Sequence, residues 1–241
     1  MKALHTLIAT LLLFPQLPQA GEVDSSPISS KTATHSLVII GASYAEQWPI
    51  EQVGCLRVVN KGIDGQVSSQ VKERFDQDAL NLKPEAVLIW GFINDFSNNP
   101  REVEDETRET AIRNIEAMAE AAQAAGVIPV LATEVTMGAP DSMIDSIIGW
   151  IGELRGKRSF QQYISDNVMA VNRWIREYAE QQGFPVLDIE HLMTDGKGNR
   201  KAGYFASDLS HITDLAYRDL DAYALPELKA SLIDAHKLCA E

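Results

Sequence analysis

Short apolar runs recur along this chain at a spacing that leaves room for a helix between each pair. Leu37–Ile40, Leu56–Val59, Ala86–Trp90, Ile128–Ala132 and Pro185–Asp188 each read as a buried strand. Between them lie helix-like stretches. Gln66 to Phe75 is one, and Glu102 to Ala125, rich in Ala and Glu, is another. Tyr163 to Gln182 places Val168, Val171, Ile175 and Tyr178 at helical spacing, with Gly183 positioned to end it. A last helical stretch, Asp219 to Leu238, carries Pro226 as an expected interruption. Strands that alternate with helices imply an α/β fold with a parallel sheet covered on both faces. In such sheets ligands bind beyond the carboxyl ends of the strands, so the loops after the strands are where chemistry belongs.

The flanks differ from this pattern. Residues 1–20 carry Lys2, an apolar run from Leu7 to Phe14, and then Pro and small residues up to Ala20. A bilayer span needs about 20 apolar residues, so the run is read as a cleavable signal peptide and the protein as exported, periplasmic or secreted. Residues 21–35 are polar and Ser/Thr-rich and read as a flexible leader, leaving 36–241 as one domain. The formal net charge of −13 gives no reason to expect nucleic-acid binding. Export permits a disulfide between Cys55 and Cys239, the only two cysteines, while two separate buried thiols is the equal alternative. Neither lies in a metal-ligand spacing, and no metal is expected.

Four strand-end segments carry reactive or hydrogen-bonding side chains. The first ends in Gly41-Ala42-Ser43; the second holds Asn60, Gly62 and Gly65; the third holds Gly91, Asn94 and Asp95; the last is Asp208-Leu209-Ser210-His211. A serine hydroxyl is a weak nucleophile until a base takes its proton. His211 is the candidate base, and a carboxylate three residues earlier can fix its tautomer and orientation. The oxyanion formed by attack on a carbonyl needs preorganised donors, for which a glycine N–H and an Asn amide are suited. Taken alone, Ser43 reads as the N-cap of the next helix. Asp188-x-x-His191 is a second motif of the same form as Asp208-x-x-His211.

Together, in this order, the four segments resemble the blocks of the GDSL, or SGNH, hydrolase superfamily over residues 36 to about 225. Two departures stand out: Ala42 replaces the Asp of the first block, and Phe92 stands where the third block has Gly. The resemblance implies a three-layer α/β/α sandwich around a mainly parallel five-stranded, flavodoxin-like sheet. It also implies a serine esterase of lipase type working through an acyl-enzyme. In that reading Ser43, Asp208 and His211 are catalytic, and Ser43 N–H, Gly65 N–H and the Asn94 amide form the oxyanion hole. The substrate would be a small-molecule ester or an acylated glycan, with no cofactor. The same blocks would serve an O-acetylesterase or acyltransferase of carbohydrate or cell envelope, or a non-catalytic binding protein keeping the fold. Composition leaves the oligomeric state open. The connection Glu134 to Phe160 carries Met143, Ile144, Ile147, Ile148, Ile151 and Leu154 on one helical face. It is either a helix packed on the domain or a wall for the acyl group.

Overall fold

The computed structural model describes residues 35–138, 158–195 and 198–239. The signal expectation, residues 21–34 of the leader and the apolar face at 143–154 lie outside the described residues. The five expected strands all form, and a sixth joins them. The strands are β1 (Ser36–Gly41), β2 (Gln52–Val53), β3 (Leu56–Gly62), β4 (Ala86–Trp90), β5 (Ile128–Ala132) and β6 (Val186–Leu187). Their spatial order is β2-β3-β1-β4-β5-β6. Every pairing is parallel except the short edge hairpin of β2 with β3. The added strand, β2, has two residues with one side buried, too short a period to stand out in the sequence.

Buried hydrophobes fill the central strands without alternation, as a sheet covered on both faces requires. The covering helices are α1 (Ser43–Gln47), α2 (Ser68–Glu73), α3 (Phe75–Asp78), α4 (Ile93–Asn98), α5 (Glu104–Ala124), α6 (Phe160–Gln182), α7 (Ile189–Met193) and α8 (Asp214–Leu228). Helices α2, α5 and α6 pack side by side in one layer. In the other layer the Tyr217 hydroxyl of α8 donates to the Tyr44 carbonyl of α1 at 2.9 Å. Trp48 Nε1 donates to Asp221 at 2.7 Å. Gly183 ends α6 at φ 73°, as its position implied. Pro226, by contrast, does not interrupt the last helix: it lies inside α8, which runs on into a π-helical turn at Lys229–Asp234.

Register decides where the first three segments meet. Gly41 is level with Gly62 on β3 and with Trp90 on β4, so the loops that follow leave the sheet at one edge. A β-carbon on Gly41 would sit 1.7 Å from the Trp90 carbonyl oxygen, so only glycine lets the first and third segments approach this closely. Arg74 fastens the same edge, donating to the Gly41 carbonyl at 3.0 Å and the Lys61 carbonyl at 2.8 Å.

Candidate active site

Ser43 is the first residue of α1, and the N-cap is Ala42, with no side-chain cap bond. The capping alternative for Ser43 therefore fails: its hydroxyl is one position too late to cap this turn. The helix is too short to hold itself. Asn60 holds it from β3, its amide donating to the Ala45 carbonyl at 2.6 Å and the Trp48 carbonyl at 3.2 Å.

Gly65 adopts φ 72°, in the left-handed region that glycine enters without cost. Asn94 lies in the first turn of α4, and its amide donates to the Gln66 carbonyl at 3.0 Å. That bond brings the second and third segments together. It uses one of the two N–H groups of the amide. The next residue, Asp95, turns inward. It accepts the Ser68 backbone N–H at 2.7 Å and the Ser68 hydroxyl at 2.6 Å. Burial pushes the Asp95 carboxyl above its usual range, and the Ser68 hydrogen bonds pull against that. Its work is to tie α2 to α4.

Asp208 and His211 pair side chain to side chain, Oδ2 to Nδ1, at 2.6 Å. The other carboxylate oxygen accepts the Ser210 and His211 amides, each at 2.9 Å. Partial burial opposes the charged form of Asp208, but these hydrogen bonds prevail and hold its pKa near 2. The His211 ring stands edge-on to the Tyr44 ring, centroids 6.3 Å apart, which places it beside the helix that Ser43 begins. Ser43 and His211 share no direct hydrogen bond here; such bonds are often open until substrate arrives.

The second motif has another purpose. Asp188 is the N-cap of α7, accepting the His191 backbone N–H at 3.3 Å. Arg176 grips its carboxylate at 2.9 and 2.7 Å. The His191 side chain points to solvent and receives nothing from Asp188. His35 pairs with Glu85 at 2.6 Å.

Three residues in the site's support do not stand out in the sequence as candidates. Tyr44 donates to the Ser210 carbonyl at 2.8 Å. Arg200, 3% exposed, contacts the same carbonyl. Glu134, fully buried, accepts the Phe92 N–H at 3.2 Å. Burial lifts the Glu134 carboxyl to about 8, against the Phe92 N–H and the Arg200 charge, with Asp95 adding to the rise. A charge set among Thr133, Val135 and Thr136 at a strand end was the one available signal for Glu134. Arg200 sits in a polar stretch that reads as an ordinary loop.

Residues 39–218 match the model of the GDSL-like Lipase/Acylhydrolase family. The chain belongs to that family. The match spans all four segments, and it identifies a hydrolase of the ester-cleaving kind. No curated protein matches the sequence. Solved structures share the fold. A GDSL-like lipase from Bacteroides thetaiotaomicron VPI-5482 is 24% identical, with 82% of this chain and 89% of that one covered and a TM-score of 0.63. A lipase/acylhydrolase from Enterococcus faecalis is 20% identical over 83% of this chain and 97% of that one, with a TM-score of 0.59. An acetyl xylan esterase from Geobacillus stearothermophilus is 17% identical over 81% and 96%, with a TM-score of 0.57. At these identities the likeness is one of fold.

Proposed function

We propose that this family member is a serine esterase that cleaves a carboxylic ester through an acyl-enzyme. The observation that carries the reading is the Asp208–His211 pair, held at 2.6 Å with its ring against Tyr44, the residue after Ser43. Ser43 Oγ attacks the carbonyl carbon while His211 Nε2 takes its proton. The Ser43 and Gly65 N–H groups and the second N–H of Asn94 receive the oxyanion. The tetrahedral intermediate collapses, and His211 passes the proton to the departing alkoxide. Water then enters, His211 takes its proton, and attack on the acyl carbon releases the acid and restores Ser43. Asp208 keeps Nδ1–H of His211 directed and stabilises the imidazolium. The substrate is a small-molecule ester or an acylated glycan, and the chemistry requires no cofactor.

We place the protein outside the cytoplasm. The character of residues 1–20 supports this, and so does the Cys55–Cys239 disulfide, a bond that persists in oxidising compartments.

A fluorophosphonate probe and a series of p-nitrophenyl esters test the enzyme reading together. The wild-type protein is expected to label at Ser43 and to turn over at least one ester. Ser43→Ala and His211→Ala should lose at least about a thousandfold in kcat/KM, and His191→Ala should stay close to wild type. A folded protein that neither labels nor hydrolyses any ester would make this a binding protein on a hydrolase fold.

A further inference from the structure

The turn that carries Asp208 and His211 is strained at its centre. Leu209 has φ 63°, a left-handed conformation in an ordinary residue. Such a residue costs about 1–2 kcal/mol and persists only where its surroundings over-determine it. Backbone bonds contribute to that. The Gly138 N–H donates to the Leu209 carbonyl at 2.7 Å, the Leu209 N–H to Ala206 at 2.9 Å, and the Ala206 N–H to the His211 carbonyl at 2.8 Å.

The other constraint is Arg200. Its guanidinium is buried, and its hydrogen bonds go to carbonyl and hydroxyl oxygens. Nε donates to the Thr136 carbonyl at 2.6 Å. Nη1 donates to the Ser210 carbonyl and, at 3.4 Å, to the His211 carbonyl. Nη2 donates to the Tyr44 hydroxyl at 3.1 Å. That hydroxyl in turn donates to Ser210, at 2.8 Å. One planar fork therefore binds three separate pieces: the strand extension at Thr136, the catalytic turn at Ser210 and His211, and the helix bearing Ser43. A fixed array of donors suits this task, and a flexible ammonium does not. Burying a cation costs several kcal/mol, which is hard to explain as stability alone.

We infer that Arg200 is a positioning residue for catalysis: with Tyr44 it clamps the strained 208–211 turn to the start of α1 and so sets His211 against Ser43. The inference rests on the esterase reading for its kinetic consequences, and on the geometry alone for its structural ones. The hydrogen bonds of Arg200 go to neither the Ser43 hydroxyl nor the His211 ring. Its removal should leave the Asp208–His211 pair intact, since that pair is local to the turn, while moving the pair relative to Ser43.

Kinetics and structure of Arg200→Met, Arg200→Lys and Tyr44→Phe test this. In Arg200→Met, kcat for p-nitrophenyl acetate should fall about ten- to a hundredfold, the scale of loss for a misplacement near 1 Å. KM should change less than about threefold, because binding groups are untouched. Arg200→Lys should recover only part of the loss. If Arg200→Met fails to fold, Tyr44→Phe, which removes only one hydroxyl from the clamp, should still lower kcat severalfold at constant KM. A kcat within twofold of wild type in folded Arg200→Met, or in Tyr44→Phe, overturns the proposal, even if the melting temperature drops. A crystal structure of whichever variant folds reads the positioning without activity: the turn should shift and Leu209 leave the left-handed region. An unmoved turn overturns the proposal. A wild type that neither labels nor hydrolyses would overturn the esterase reading instead, leaving the structural arm to judge the clamp.

Discussion

The carboxylate of Asp208 accepts hydrogen bonds from the His211 ring and from two amides of its own turn. Its pKa falls from 3.8 to about 2, so the charged form persists through the acidic range. A folded-state pKa below the unfolded one contributes stability above the ordinary value and loses it as pH falls through about 2. Asp208→Asn should therefore be less stable than wild type at pH 5, and the gap should close between pH 4 and pH 2. With the side chain 51% exposed, the gap is small, and calorimetry at paired pH values is the measurement. A gap that widens on acidification would show that the carboxylate is not held in its charged form. Turnover responds far more strongly: loss of the charge opposite imidazolium should cost about 10²–10⁴-fold in kcat. The residues with chemistry in their side chains were legible from sequence, because Ser43 and Asn94 follow strands and the Asp208-x-x-His211 pattern completes a recognisable order. Tyr44 and Arg200 were not. Their contribution lies in contacts 166 and 10 residues away along the chain, respectively, to a carbonyl that no residue type announces.

Among the elements, β5 reaches further than its own strand. Past Ala132 its backbone continues to Glu134, which Asn172 of α6 pairs like a neighbouring strand, accepting its N–H at 2.8 Å and donating to its carbonyl at 2.7 Å. The Glu134 side chain then caps the approach to α4 by accepting the Phe92 N–H, two residues before Asn94. Burial raises its pKa from 4.5 to about 8, so the folded protein holds a proton that the unfolded chain releases. Stability from this site is complete below pH 4.5 and declines as pH rises through about 8. Glu134→Gln keeps the shape and removes the titration. Wild type should lose stability relative to Glu134→Gln by a few kcal/mol between pH 5 and pH 9, because each tenfold change in proton affinity on folding is worth about 1.4 kcal/mol. Urea unfolding across that range measures it, and parallel stability curves would mean the carboxyl is already ionised when folded. Element type was readable where the period was long, as in α6 with its glycine stop. The edge hairpin was hidden by its length, and Pro226 reads as a break although the helix carries on through it.

Across the whole molecule the disulfide joins Cys55, in the turn of the β2–β3 hairpin, to Cys239, with Cα atoms 6.4 Å apart across 184 residues of sequence. Two residues could not reveal this pairing by spacing. The path between them depends on how the C-terminal segment returns across the sheet edge. That return has its own apolar anchors. Leu232 is fully buried, and Ile233 lies so close to Gly54 that a β-carbon there would meet it at 2.5 Å. The covalent tie and the packing should therefore separate experimentally. Reduction releases the unfolded chain from a loop that spans nearly the entire domain, which should remove about 2–5 kcal/mol of stability. For a domain of this size the melting temperature should drop by roughly 4–20 °C. The site lies at the opposite ends of β1, β3 and β4 from the strand starts, and its contacts do not include the tail. The Cys55→Ser/Cys239→Ser variant should thus keep wild-type ester turnover at 25 °C while melting earlier. Thermal unfolding with and without reductant, beside initial rates on the same sample, decides the matter. Loss of turnover well below the melting temperature would mean that the disulfide shapes the active edge of the sheet. An unchanged melting temperature would mean that Leu232 and Ile233 hold the tail without it.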